Sequence, residues 1–271
     1  MGRGSPVAPE RRHTLLFLAY ARSFSPVFLD TEVDMSVVAG HRAAARAAGR
    51  RTSWVTYVLW AAGRVLAAHP AANAALTGRV RPRVARYDGV HAKLTLDKRL
   101  RGQRVVLSAV LPDVQASGLD EIQRWVDHLR EGDPATLPEF AGARAVQRLP
   151  WPIRPMAFRL AARSLRRRPR LMGTVAVTSL GGTAVDGFQS VGGTTVTLGV
   201  GRVLNRPVVR AGSVEVAPVL RLSLTFDHRV IDGAEAAEIL TDLKRTLETP
   251  VETGPQSPAT GRAGSQGGLM S

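Results

Sequence analysis

Residues 220–226 alternate without a break, with Leu220, Leu222, Leu224 and Phe226 on one side and Arg221, Ser223 and Thr225 on the other. A period of two belongs to an extended strand with one face buried. The chain must therefore build a sheet that something apolar covers. Further strand signals stand at 27–34, 91–97, 104–111, 174–178 and 194–200, and the alternating segment begins near Val214. Between them lie helical stretches at 41–48, 120–130 and 234–247. A longer helix starts after Ser53, a plausible N-cap, with Val55, Val58, Leu59, Ala62, Val65 and Leu66 spaced for one apolar face. It should stop near His69, because Pro70 excludes the residue before it from helix. Strands and helices interleave without strict βαβ order, and no glycine-rich phosphate loop follows a strand. The expected fold class is therefore α/β in the α+β sense: a mixed sheet with helices packed on one face.

Composition narrows the function classes. The chain of 271 residues carries 37 Lys plus Arg against 22 Asp plus Glu, a formal charge of +15, and has no cysteine. Disulfide scaffolds, Cys-ligated zinc and cysteine catalysis are excluded together. Lysines stand only at 93, 98 and 244, so 37 − 3 = 34 of the cations are arginine. Such a balance fits anionic partners, and it fits GC-rich coding equally well. Arg11-Arg12 precede a short apolar run, Leu15 to Ala21, that ends at Arg22 with no small-residue cleavage site. It reads as a first amphipathic helix rather than an export signal. No stretch reaches the roughly 20 apolar residues that cross a bilayer, so a cytoplasmic location is expected. Residues 1–10 are expected to be loose, and 251–271, rich in Gly, Ser, Pro and Thr, to form a disordered tail.

The segment with chemical content runs from Phe226 through Asp227-His228-Arg229-Val230-Ile231-Asp232 to Gly233. His228 sits where a buried strand ends and the last helix is about to begin, a rigid place to hold a base. Asp232 is four residues on, close enough for the loop to fold its carboxylate back. Gly233 is expected to allow a tight turn. A lone His-x3-Asp is more often structural than catalytic, and the other five histidines have no comparable setting.

Residues 222–237, LSLTFDHRVIDGAEAA, resemble the active-site signature of the E2 acyltransferase catalytic domain of 2-oxoacid dehydrogenase complexes, related to chloramphenicol acetyltransferase. Residues 173–181, GTVAVTSLG, resemble that family's GTFTISNLG strand and turn. Residues 197–201 resemble its apolar strand ending in glycine, and 32–34 with 69–73 its N-terminal half. The resemblance covers most of residues 12–250 and implies a chloramphenicol-acetyltransferase-like two-layer sandwich over 11–250. It implies that His228 is a general base taking the proton of an attacking thiol, for which a neutral imidazole is suited. It places the oxyanion donor at Thr178, where the family has serine, with Ser179 beside it pointing the other way. Asp232 is then mainly structural, holding the loop and pairing with an arginine. Arg229 and Gly233 support the same loop. Homotrimers, or multiples of them, with His228 and Thr178 meeting across the subunit interface, follow from the same likeness. Coenzyme A is implied as a substrate, and no metal.

Two departures qualify it. None of the three lysines stands in a separate lipoyl domain. Lys98, in Asp97-Lys98-Arg99, lies inside the expected strand pair, so any lipoyl or acyl carrier protein acts in trans. Second, about 140–170 is an insert in which nine arginines and no carboxylate fall between Glu139 and Asp186. Its middle, Met156 to Arg168, reads as one basic amphipathic helix packed on Met156, Phe158, Leu160 and Leu165 with its arginines solvated. Alternatively, Arg166, Arg167 and Arg168 contact coenzyme A phosphates or an acidic carrier, or the helix lies on an anionic membrane. Nucleic acid fits poorly, because no aromatic residues interleave with the arginines. The leading expectation is acyl transfer between thiols. Condensation-type transfer to an amine or hydroxyl, for which relatives use HHxxxDG, and a catalytically silent trimeric scaffold are the alternatives.

Overall fold

The computed structural model describes residues 8–78, 80–150 and 152–250. Pro9–Arg11 form a 3-10 turn where a loose start was expected. Residues 1–7 and the expected tail at 251–271 lie outside the described residues. The helices are α1 (Arg12–Ala21), α2 (Ser36–Ala47), α3 (Trp54–Ala68), α4 (Leu119–Glu131), α5 (Ala141–Arg148), α6 (Arg154–Arg163), α7 (Arg168–Met172) and α8 (Gly233–Glu248). The strands are β1 (Pro26–Asp34), β2 (Ala74–Thr77), β3 (Arg83–Arg86), β4 (Ala92–Leu100), β5 (Gln103–Leu111), β6 (Val175–Ser179), β7 (Val196–Arg210) and β8 (Ser213–Asp227).

Six strands form one mixed sheet in the order β1-β8-β7-β6-β4-β5, while β2 and β3 pair separately. β6 runs parallel to both its neighbours, and the remaining pairs are antiparallel. The expected mixed sheet is present, with α3 and α8 packed on it and α4 on α3. Leu220, Leu222, Leu224 and Phe226 are buried, each contributing about 1.5–3 kcal/mol through loss of apolar surface from water. α3 departs from the one-faced helix expected: Val55 to Gly63 are all buried, because the helix lies beneath α4 and α8 as well as on the sheet. Ser53 is its N-cap by position, yet its hydroxyl meets Thr56 Oγ1 at 2.8 Å instead of a backbone amide.

The polar side of β8 is covered too. Ser223 and Thr225 are buried while Arg221 is exposed. The segment between β6 and β7 crosses this face so closely that a Cβ on Gly199 would overlap the Phe188 carbonyl oxygen, and one on Gly201 the Asp186 carbonyl. Glycine in this strand is thus required by backbone approach. Asp186 is held there by Arg202 at 2.5 Å and Arg206 at 3.1 Å.

The basic insert differs most from expectation. The single helix over 156–168 is two, α6 and α7, broken at Ser164–Arg167 with Pro169 opening the second. Met156 and Leu160, expected to pack inward, are 66% and 65% exposed. The buried side carries Arg154 and Ala162, and the Phe158 ring lies edge-on to Tyr20 at 6.1 Å. Arg154 is tolerated inside because its guanidinium donates to the Leu149 and Gln147 carbonyls. Among the described residues, no helix is long and apolar enough to cross a membrane.

Candidate active site

β8 ends at Asp227, and His228 to Ile231 turn the chain into α8. The turn is anchored from beneath. Asp227 is 3% exposed, and its Oδ1 accepts from Ser25 N (3.3 Å), Arg229 N (3.3 Å) and Arg229 Nε (2.8 Å). Oδ2 accepts from Arg229 Nη2 at 2.5 Å. This bidentate pair is the strong kind of charge-assisted bond, and it raises the Arg229 pKa above its ordinary value. The Arg229 guanidinium also rests over the Phe24 ring at 5.1 Å. Backbone bonds complete the clamp: His228 N donates to Ser25 O, Asp227 N to Thr195 O, and Val230 N to Asp227 O. The two neighbours of His228 are thus locked, while its imidazole is left half-exposed with Phe226 at 5.5 Å.

Asp232 is the N-cap residue of α8 by position, without a side-chain cap bond. Its Oδ1 lies 3.6 Å from His228 Nδ1, longer than a hydrogen bond, and its side chain is 89% exposed. Asp232 was expected to pair with an arginine; among the described residues it meets none, and Arg229 pairs with Asp227, which is buried within reach of both its side chain and its backbone. Gly233 is also different from expectation. It opens α8 without a positive φ, and a Cβ there would meet nothing within 4 Å. Neither a positive φ nor a close approach requires glycine here, so the tight turn expected of it is not seen.

Thr178 and Ser179 are half-buried at the end of β6. Ser179 Oγ accepts from Gly181 N at 3.4 Å and so holds the following turn. Thr178 is level with Gly199 on β7, which is level with Ser223 on β8. From Ser223 to Asp227 is about 13 Å along the strand, and two strand spacings add about 10 Å across. The backbones of Asp227 and Thr178 are therefore about 16 Å apart, and His228 and Thr178 of one chain lie at opposite ends of their strands.

Of the three arginines expected to contact phosphate, Arg166 and Arg167 face solvent. Arg168 does not: it is 3% exposed, its Nη1 donates to Leu76 O (3.2 Å) and its Nη2 to Gly193 O (3.0 Å). With both carbonyls satisfied inside the protein it is a packing residue, which corrects that expectation. Beside it lies Lys93, 3% exposed, with Nζ donating to Gly192 O and the Phe17 ring centroid at 5.1 Å. Burial, and secondarily Arg168, push its pKa down to about 7. No local pattern points to this pair, since its partners come from distant segments. Lys98 sits in β4 and donates to the Arg130 and Gly132 carbonyls. Lys244 pairs with Glu248. Among the described residues, no group of three or more His, Asp or Glu is gathered to hold a metal.

Residues 152–254 match the family of 2-oxoacid dehydrogenases acyltransferase (catalytic domain). The dihydrolipoyllysine-residue acetyltransferase component of the pyruvate dehydrogenase complex of Bacillus subtilis (strain 168) is 53% identical over 53 residues, 20% of this chain and 12% of that protein. The matched stretch is thus a small part of that relative's length. The cubic core of the pyruvate dehydrogenase multienzyme complex superposes with a TM-score of 0.70 at 20% identity, over 92% of each chain. Azotobacter vinelandii dihydrolipoamide acetyltransferase, whose catalytic mechanism has been probed at a serine, a histidine and an asparagine four positions beyond it, gives 0.69 at 20% identity, also over 92% of each. The fold is therefore that of the E2 acyltransferase cores.

Proposed function

We propose that this chain, whose residues 152–254 match the acyltransferase catalytic-domain family of the 2-oxoacid dehydrogenases, is an acyltransferase over about residues 11–250 that moves an acyl group between coenzyme A and a dihydrolipoyl thiol. The observation that carries this is the clamped DHRVIDG loop: Asp227 and Arg229 are fixed, and the intervening imidazole is left accessible. A loop built only for packing does not need an exposed imidazole between two anchored neighbours.

On this reading His228 takes the proton of the attacking thiol, and the thiolate adds to the thioester carbonyl. The tetrahedral oxyanion accepts a hydrogen bond from the Thr178 hydroxyl. Collapse expels the other thiolate, which recovers the proton from the imidazolium. The backbone separation of about 16 Å within one chain supports a site shared by two protomers of a trimer, or a multiple of it, His228 from one and Thr178 from its neighbour. Asp232, at the spacing the Azotobacter enzyme gives to an asparagine, shapes the loop near Nδ1 and carries no proton. None of the three lysines described above carries the arm, and a cytoplasmic location belongs to the same reading. The burial of Asp227 against Arg229 speaks against condensation-type transfer, since the HHxxxDG motif places a histidine there.

The test is thiol release from acetyl-, propionyl- and longer acyl-CoAs with a dithiol acceptor. Turnover that disappears in His228→Ala, with the oligomer unchanged by light scattering, is the expected result. Unchanged turnover in His228→Ala would overturn the assignment of the base.

A further inference from the structure

The outward side of the insert is both apolar and strongly cationic. On α6, Ile153, Met156 and Leu160 follow at the i, i+3, i+7 spacing of one helical stripe, and they are 51%, 66% and 65% exposed. Leu171 on α7 is half-exposed as well. A helix that buries Arg154 and turns three large aliphatic residues to solvent has the reverse of a surface helix's polarity. Around the stripe, Arg148, Arg159, Arg163, Arg166, Arg167 and Arg170 are exposed. Among the described residues none of these six meets a carboxylate, whereas Arg50, Arg104, Arg202, Arg210 and Arg221 elsewhere each do. Buried Arg168 adds positive potential from below.

This surface is joined to the candidate site by a chain of rings. Phe158 of α6 packs on Tyr20 at 6.1 Å, Tyr20 on Phe24 at 5.4 Å, and Phe24 carries the Arg229 guanidinium at 5.1 Å, next to His228. The insert is thus linked to the loop through three successive ring contacts.

We infer that the α6 face and the Arg166 to Arg170 turn dock a small acidic carrier domain bearing the dihydrolipoyl arm, an inference that rests on the acyl-transfer reading. Charge chooses an anionic occupant. A second copy of this chain docked face to face would oppose six arginines with six more, and one docked head to tail would still bring a chain of net charge +15 to them. Free phosphates would use the arginines and leave the aliphatic stripe in water. An acidic domain covers both, with aliphatic contacts at the centre and charged contacts at the rim.

The experiment compares two acyl donors, an acetylated lipoyl domain of acidic surface and free acetyl-dihydrolipoamide, each with coenzyme A as acceptor. In both cases the thioester passes to coenzyme A and the dithiol is released. The wild-type chain is compared with Met156→Ser/Leu160→Ser and with Arg159→Gln/Arg163→Gln. The expected result is a fall of about tenfold in kcat/KM for the domain in each variant, with the free donor unaffected. Equal falls for both donors, or no fall for the domain, would overturn the docking surface. If neither donor turns over, the acyl-transfer reading fails, and anisotropy of the labelled lipoyl domain decides the surface separately. Binding weakened in both variants then supports it, and no binding overturns it. Vesicles containing phosphatidylglycerol form the last arm. Vesicle binding lost in the variants while the domain's rate is unchanged would assign the face to a membrane and overturn the inference.

Discussion

Replacing Lys93 by methionine keeps the length of the side chain and removes a cation that is 3% exposed and adjacent to Arg168. The ordinary lysine value is 10.5, and burial, reinforced by Arg168, brings the folded value down to about 7. Below pH 7 folded and unfolded chains both hold this proton, and the folded protein carries the full cost of the buried ammonium. Between pH 7 and 10.5 the unfolded chain binds a proton that the folded chain has released, so stability rises with pH through this window. Over 10.5 − 7 = 3.5 units the rise is on the order of 5 kcal/mol. Methionine abolishes the slope and forfeits the bond to the Gly192 carbonyl, a loss of about 1 kcal/mol. Lys93→Met should therefore be more stable than wild type by a few kcal/mol at pH 6.5, with the advantage shrinking steadily toward pH 10. Urea unfolding followed by fluorescence of Trp54, Trp60 and Trp125 at several pH values measures this directly. Wild-type and variant stabilities that run parallel across the window would refute the reasoning, because every other titrating group is common to both.

Other consequences can be checked with single substitutions. Asp227→Asn keeps the shape of the clasp but removes its charge, and with Arg229 only 31% exposed the cost should be about 2 kcal/mol in a urea midpoint, accompanied by lost turnover. A cost within scatter would mean that the clasp does not hold the loop. Thr178→Ala should lower kcat about 10²- to 10³-fold with little change in KM, while Thr178→Ser keeps or improves the rate. A rise confined to KM would remove Thr178 from the oxyanion role. Gly199→Ala should destabilise by about 1–3 kcal/mol, because the new methyl group meets the Phe188 carbonyl. Unchanged stability would show that the covering segment yields freely.

Elements whose burial has a regular period were legible in the sequence. β8 and its turn into α8 could be read from Leu220 to Phe226 and the DHRVIDG segment, because one buried face imposes alternation. β8 matches its expected span from Val214 to within a residue at each end, whereas β7 was expected only to Val200 and runs on to Arg210, pairing from Val203–Leu220 to Arg210–Ser213 with Val209, Val214 and Val216 exposed. Without a buried face, alternation has no cause there. The insert misled for the opposite reason. Its helical period was present, but the face that packs is set by Tyr20, which only tertiary contact brings to Phe158. At the candidate site, His228 and Thr178 were named by motif. The Asp227–Arg229 clasp, the burial of Arg168 and the open space at Gly233 depend on segments far apart in the chain, so no local pattern carries them.

On the proposed mechanism one active site is assembled from two chains, His228 from one and Thr178 from its neighbour. Mixing His228→Ala and Thr178→Ala subunits, by joint refolding or co-expression, tests it most directly. Each variant alone should be at least about 10²-fold below wild type in acyl-CoA-to-dithiol transfer. In randomly mixed oligomers about one quarter of the interfaces pair an intact His228 with an intact Thr178, and the account predicts that activity returns to about that fraction of wild type. A mixture no more active than the better single variant, with mixed oligomers shown to form, would contradict it.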